Sequence, residues 1–200
     1  MMPVNQTINV VGECLRPPDD YPSTDACQIL EAALTILRQG EDLLLVVDGE
    51  SYIRKVREVF NGSIGGHYRH CLDHFSSLLN ALGAEEVNYD DRKRDAVIES
   101  QPGFALNVTR QLKNRLEALS SGVLDARVKA RCEVSYARGD SPVTESSWGR
   151  ELVYCIAHAI HHYALISVMA KLMNLSLPEH FGIAPSTVMH QASQPQHVRT

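Results

Sequence analysis

Three histidines lie in the otherwise apolar stretch CIAHAIHHYALI, residues 155–166. His158 and His162 are four residues apart, so on a helix they share one face, one turn apart, and can converge on one ion. Neutral imidazole nitrogens are good ligands for Zn, Ni, Fe or Cu. His161 lies about 60° or more away around the helix and is expected to face a neighbouring helix or solvent. The pair predicts two metal ligands, and hydrogen-bonded core histidines are the alternative interpretation.

A second histidine-bearing face occurs in the stretch GGHYRHCLDHF, residues 65–75. On a helix, His67, His70 and His74 fall within about 60° of one another. Faces of this kind on neighbouring helices can meet across the core of a helical bundle. The two stretches together therefore favour a metal site between helices, whereas a solvated polar stripe is the alternative for the second one.

The elements that would position these residues are helices. Apolar residues recur at helical spacing in four segments, which begin near residues 24, 63, 101 and 147. The last runs to about residue 175 and carries few charged side chains, so it is expected to be the buried central helix. Alternating apolar and polar residues within 126–146 predict a β-hairpin. The sequence therefore predicts an all-α fold, a four-helix bundle with a small β-hairpin inserted before the last long helix.

Length and composition agree with one globular domain spanning residues 1–200. Within it we expect a helical core over 24–175, the hairpin over 126–146, and a C-terminal loop and tail over 176–200. A formal net charge of −5 argues against nucleic acid as a partner. Three histidines and a lysine argue against a membrane span in the last helix. The start resembles no signal peptide, so a cytoplasmic location is expected.

Several short motifs occur in an order that is similar to a known family. They are SIGGHYRHCLDHF, NYDDRKRD, SSWGRELVYCIAHAIHHYALI and FGIAPST, and the resemblance spans roughly residues 24–185. In this order the chain resembles the DinB-like helical bundles, which include bacillithiol transferase-like enzymes. The resemblance implies a metal triad of His70, His158 and His162. His67 and His74 lie on nearly the same face as His70 and remain alternative or additional ligands.

The same resemblance implies a function. Members of that family are thought to join a low-molecular-weight thiol to an electrophile at a divalent metal ion. We therefore expect metal-dependent thiol transfer or, failing that, hydrolysis of a small molecule, with Zn, Ni, Fe or Mn as the ion. Asp73 is interpreted as a solvated helix carboxylate, with a role in orienting a ligand ring through a hydrogen bond as the alternative. No residue is identified as a catalytic acid or base.

Two further expectations concern the rest of the chain. The run DDRKRD at residues 90–95 is interpreted as a surface cluster of charges, with anion binding as the alternative. The alternative to an enzyme is a non-catalytic metal-binding helical module that forms a homodimer.

Overall fold

The computed structural model describes residues 25–136 and 139–193, and this part of the chain is mostly helical. It contains seven α-helices, one 3-10 helix and three strands. In chain order these are α1 (Asp25–Val46), α2 (Gly49–Ile53), α3 (Ile64–Asn80), β1 (Glu86–Asn88), α4 (Ala96–Ser100), α5 (Pro102–Glu117), the 3-10 helix (Ser121–Asp125), β2 (Arg127–Arg131), β3 (Val143–Ser147), α6 (Trp148–Leu172) and α7 (Pro185–Ser193). The predicted predominance of helix is confirmed.

The four long helices, α1, α3, α5 and α6, pack around one apolar core. α3 packs along α6, and α1 packs against both α5 and α6. Buried tyrosines connect these helices through their hydroxyl groups: Tyr68 of α3 lies 2.8 Å from Thr109 Oγ1 of α5, and Tyr163 of α6 donates to the carbonyl of Ile36 in α1 at 3.2 Å. These hydrogen bonds satisfy polar atoms that burial would otherwise leave unpaired.

The two histidine-bearing helices begin at serine caps. Ser63 accepts a hydrogen bond from the backbone N–H of Gly66 at 3.0 Å, at the start of α3. Ser147 accepts from the N–H of Arg150 at 3.2 Å, at the start of α6. A side-chain oxygen in this position satisfies one of the free N–H groups of the first turn. The caps therefore set where each helix begins, and with it the direction in which its histidines point.

A small sheet lies beside the helices. Where the sequence predicts a hairpin, β2 and β3 pair in antiparallel register. β1 adds a third strand that pairs with β2 in parallel, at one edge of the sheet. This strand was not predicted because three residues carry too little alternation to be recognised in the sequence. Its importance is positional, since the loop that follows β1 contacts the histidines.

The C-terminal prediction is only partly right. Residues 176–193 include helix α7 where a loop was expected, and the predicted tail over 194–200 lies outside the described residues. None of the side chains in α7 is buried, so the sequence has no apolar stripe to reveal this helix. The segment before it folds back onto the core, where the ring of Phe181 stacks on that of Tyr163, with centroids 4.7 Å apart.

Among the described residues, α6 is long and apolar enough to cross a membrane, by length and composition alone. A core helix of a globular protein meets the same criterion, and α6 packs against α1 and α3 along a row of buried residues. The expected cytoplasmic location and the expected domain limits remain predictions.

Two glycines in helices provide a matched test of this packing. A Cβ atom at Gly65 in α3 would lie 2.0 Å from the carbonyl oxygen of Glu99 in α4, whereas at Gly103 in α5 it would meet no atom within 4 Å. We expect Gly65→Ala to lower the free energy of unfolding by about 1–3 kcal/mol, because the backbone of α4 must move away. Gly103→Ala should raise it by about 0.5–1 kcal/mol through helix propensity. Denaturant unfolding measures both, and equal effects of the two changes would contradict the close contact between α3 and α4.

Candidate metal centre

Five imidazole rings meet where α3 packs against α6. We call His67, His70, His74, His158 and His162 the histidine cluster. His70 lies at its centre, with ring centroids 4.8 Å from His158 and 4.7 Å from His162. All three residues of the predicted triad are therefore neighbours, and both alternative ligands adjoin them. His161 is exposed, as expected from its position around the helix.

Direct contacts between ring nitrogens link the two helices. Nε2 of His158 lies 2.9 Å from Nε2 of His70, and Nδ1 of His162 lies 2.9 Å from Nδ1 of His67. His74 closes the cluster on the other side, with its ring centroid 4.3 Å from that of His158. In each of the two nitrogen–nitrogen contacts, one nitrogen must carry a proton and the other must accept it. The rings thus form a hydrogen-bonded cluster across the helix interface.

One subset of the cluster has the spacing of a metal site. His70, His74 and His158 each offer a ring nitrogen, and these three atoms lie within 4.8 Å of one another. Nitrogens bound at 2.0–2.1 Å to one tetrahedral ion would be about 3.3–3.4 Å apart. The His70–His158 nitrogen pair, at 2.9 Å, would have to open by only about 0.4 Å. A divalent ion could therefore be held here with small rotations of the rings.

An arginine enters the cluster from the loop after β1. Arg92 Nη1 lies 2.9 Å from His74 Nε2 and 3.3 Å from His70 Nδ1. A guanidinium group only donates, so both of these ring nitrogens must be unprotonated acceptors. Neutral His70 then carries its proton on Nε2 and donates it to His158. Neutral His74 carries its proton on Nδ1, a buried atom without a hydrogen-bond partner in the described part of the chain.

The sheet holds the loop that carries Arg92. Asp90 Oδ1 accepts from the backbone N–H of Glu133 at 2.9 Å, and the N–H of Asp90 donates to Asn88 Oδ1 at 2.9 Å. The expectation that the whole run DDRKRD is a surface cluster is therefore wrong for Arg92, which is partly buried against the rings. Sequence analysis missed this contact because it depends on the pairing of β1 with β2, which brings residue 92 onto α3.

The interpretation of Asp73 as a solvated carboxylate is wrong, because its side chain is buried in an ion pair with an arginine. Its Oδ2 accepts from Arg69 Nη1 at 2.6 Å, and Arg69 Nε also donates to Glu99 at 3.1 Å. Burial raises the pKa of this carboxyl group, and Arg69 opposes that shift. A hydrogen bond from Asp73 to a ligand ring stays a prediction, whereas its observed ion pair with Arg69 lies within α3, and Arg69 in turn links α3 to Glu99 of α4.

Burial keeps the cluster neutral. Desolvation first, and mutual repulsion with neighbouring histidines and Arg92 second, lower the pKa of His70 to about 3 and that of His74 to about 2. The pKa of His158 falls to about 4, and that of His162 to about 3, with desolvation again the main cause. Unprotonated imidazole is the form that binds metal ions. At neutral pH the cluster therefore needs no deprotonation before an ion can bind.

Comparison with known proteins gives one curated relative. The chain is 30% identical over 188 residues to FK506-binding protein 5 of Rhizopus delemar. The match covers 92% of this chain but 44% of the relative, so the chain spans less than half the length of that protein. No family model and no solved structure matches the chain. The name of the relative describes that whole protein, and more than half of it lies outside the match.

This comparison overturns the family expected from the short motifs. The resemblance to the DinB-like family is wrong, because the relative carries another name and no model of any family matches. The thiol transfer or hydrolysis expected from that family is contradicted on the same ground, and the match supports the alternative of a non-catalytic dimerising module no better. The close approach of the five histidines is a property of the structure and does not depend on that resemblance.

The pKa shifts predict how metal-free protein responds to acid. Histidines that stay neutral in the folded protein gain protons on unfolding below pH 6.5, so stability should rise with pH between about 4 and 6.5 and fall on acidification through that window. Each pH unit below 6.5 costs about 1.4 kcal/mol for one histidine that remains neutral. Thermal unfolding in the presence of a chelator measures this dependence. We expect His74→Leu to flatten the dependence of Tm on pH. His180→Asn, at an exposed site outside the cluster, should leave that dependence unchanged. A parent Tm that stays constant from pH 7 to pH 4 would contradict the burial of neutral histidines.

Proposed function

We propose that this chain binds a divalent transition-metal ion, with His70, His158 and His162 as its protein ligands. The observation that carries the proposal is the 2.9 Å contact between the Nε2 atoms of His70 and His158, with the ring centroid of His162 4.7 Å from that of His70. Three imidazoles suit Zn, Ni, Fe or Mn without selecting one of them. The proposal concerns binding of the ion and includes no reaction.

Two contacts favour His162 over His74 as the third ligand. Binding through either nitrogen of His74 would break or oppose its contact with Arg92 at 2.9 Å, which is closer than the 3.3 Å contact of Arg92 with His70. His162 uses Nδ1 in its contact with His67, which leaves Nε2 on the side of the ring opposite that contact. Its ring centroid is 4.6 Å from that of His158, one turn earlier on α6. A modest rotation of the rings would bring one nitrogen of each of the three histidines to a common ion.

The packing of the helices supports this arrangement. We infer that α1, α3, α5 and α6 form a four-helix bundle, with α3 and α6 as the pair that encloses the ion. In such bundles metal sites are built from side chains on facing helices. Binding of a small molecule and formation of a homodimer are further proposals, which rest on the sequence alone.

Metal content tests the proposal. Untagged protein, loaded with Zn and desalted, should contain close to one ion per chain by elemental mass spectrometry. His70→Gln and the double change His158→Gln with His162→Gln should each weaken binding at least about tenfold in competition with a chelating dye, because each removes a ligand. The matched controls His74→Gln and His161→Gln should retain the ion.

Two outcomes would change or end the proposal. Loss of metal in His74→Gln with retention in His162→Gln would replace the third ligand. A folded parent that takes up none of Zn, Ni, Fe or Mn would overturn metal binding altogether. Circular dichroism of every variant separates lost ligands from lost structure.

Arg92 should oppose the ion. A metal bound at Nε2 of His70 moves the ring proton to Nδ1, where it would face the N–H of Arg92 at the observed 3.3 Å. Arg92→Gln removes the positive charge and can offer an oxygen to that proton, so we expect metal affinity to rise about tenfold, the size of effect seen for groups that orient ligands. Lys93→Gln, which removes a neighbouring exposed charge, is the control for net charge. Equal affinities of parent and Arg92→Gln protein would show that Arg92 does not compete.

A further inference from the structure

A cleft of about 280 Å³ opens from the surface onto the histidine cluster. Its inner end is formed by His67, His70 and His162, and its rim by residues of α4 and of the segment between α2 and α3. A water molecule occupies about 30 Å³ of liquid, so the cleft has room for a ligand of roughly ten non-hydrogen atoms. Two of the three proposed ligands, His70 and His162, therefore line a cleft that a small molecule can enter.

The charged side chains around the cleft balance one another, so the proposed metal ion would supply the net positive charge that favours an anion. Arg69 is held by two carboxylates, Asp73 and Glu99, at 2.6 and 3.1 Å. Lys55 has only a longer contact with Glu99, at 3.4 Å, and its side chain is 54% exposed. This ammonium group can turn towards a ligand at little cost, because an exposed ion pair contributes little free energy. Together with a divalent ion, it makes the cleft net positive.

Phe60 supplies an apolar group at the same rim. Its side chain is 89% exposed, so it contributes almost nothing to the core. Its backbone is left-handed, with φ of 51°, and Asn61 follows at 55°, in a turn closed by a hydrogen bond from Gly62 N–H to the Val59 carbonyl at 2.9 Å. Turns of this type favour Asn, Asp or Gly at both central positions. A phenylalanine here is strained, and burial does not compensate the strain; such residues concentrate at binding sites.

We propose that this cleft binds a small organic anion, whose acidic group contacts the metal ion and Lys55 and whose apolar or aromatic part packs on Phe60. The inference rests on the proposed metal site and adds the class of ligand. An aromatic carboxylate could contact the metal ion and Lys55 through its carboxylate and Phe60 through its ring. A simple inorganic anion would use the ion and the lysine but leave Phe60 without a role.

The test uses protein loaded with Co²⁺, whose visible absorption responds to a new ligand, and compares benzoate with acetate. Cobalt content is measured first and by itself. We expect both anions to change the spectrum and benzoate to bind about three to ten times more tightly, the gain typical of one aromatic contact. Phe60→Asn suits the left-handed turn, so it should keep the cobalt, keep or raise the Tm, and abolish the preference for benzoate. Lys55→Gln should weaken both anions, whereas Leu45→Asn and Lys171→Gln, exposed residues outside the cleft, should change neither.

The outcomes separate the two proposals. Cobalt that binds but does not respond to either anion would overturn the anion site and leave the metal site standing. Equal affinities for benzoate and acetate, or an unchanged preference in Phe60→Asn protein, would overturn the role of Phe60 and with it the aromatic ligand class. A chain that binds neither cobalt nor any of Zn, Ni, Fe or Mn would end the metal proposal, and the anion site would fall with it.

Discussion

Five imidazole rings occupy the interface of α3 and α6, where leucines would otherwise pack, and they can be buried there only as neutral groups. Neutral rings in direct contact must share protons, so each nitrogen has a role imposed by its neighbour. The contacts of His70 Nε2 with His158 and of His67 Nδ1 with His162 are the visible part of this constraint. The serine caps fix where α3 and α6 begin, and the tyrosine hydrogen bonds fasten α3 to α5 and α6 to α1, so both histidine-bearing helices are anchored in the same core.

The same constraint explains why a distant sheet bears on the site. Pairing of β1 with β2 fixes the loop that carries Arg92, and a permanent cation beside the rings decides which nitrogens accept. An ion among these rings would have to overcome that charge. The sheet is therefore part of the electrostatics of the cluster, although its strands contribute none of the histidines.

The sequence predicted the helices and the convergence of the histidines well, for a physical reason. Both depend on residues three or four apart, and helix geometry alone brings these to one face. The sequence predicted poorly the features that depend on contacts between segments far apart in the chain. The roles of Arg92 and Asp73, strand β1 and the cleft below Phe60 arise from contacts between segments that no local period records. Helix α7 was missed for a different reason, since it buries no side chain and so has no apolar face.

The mistaken family resemblance has a related origin. Two histidines four apart on one helix and others at similar spacing on a packed neighbour will meet whatever the ancestry of the chain, because 3.6 residues per turn leaves few other arrangements. Histidine spacing is thus good evidence for a cluster and weak evidence for a family. The relative from Rhizopus delemar matches nearly the whole of this chain without sharing that family's name. The chemistry open to the cluster is therefore set by its ring nitrogens, by the charge of Arg92 beside them and by the cleft that reaches them, and by no inherited family mechanism.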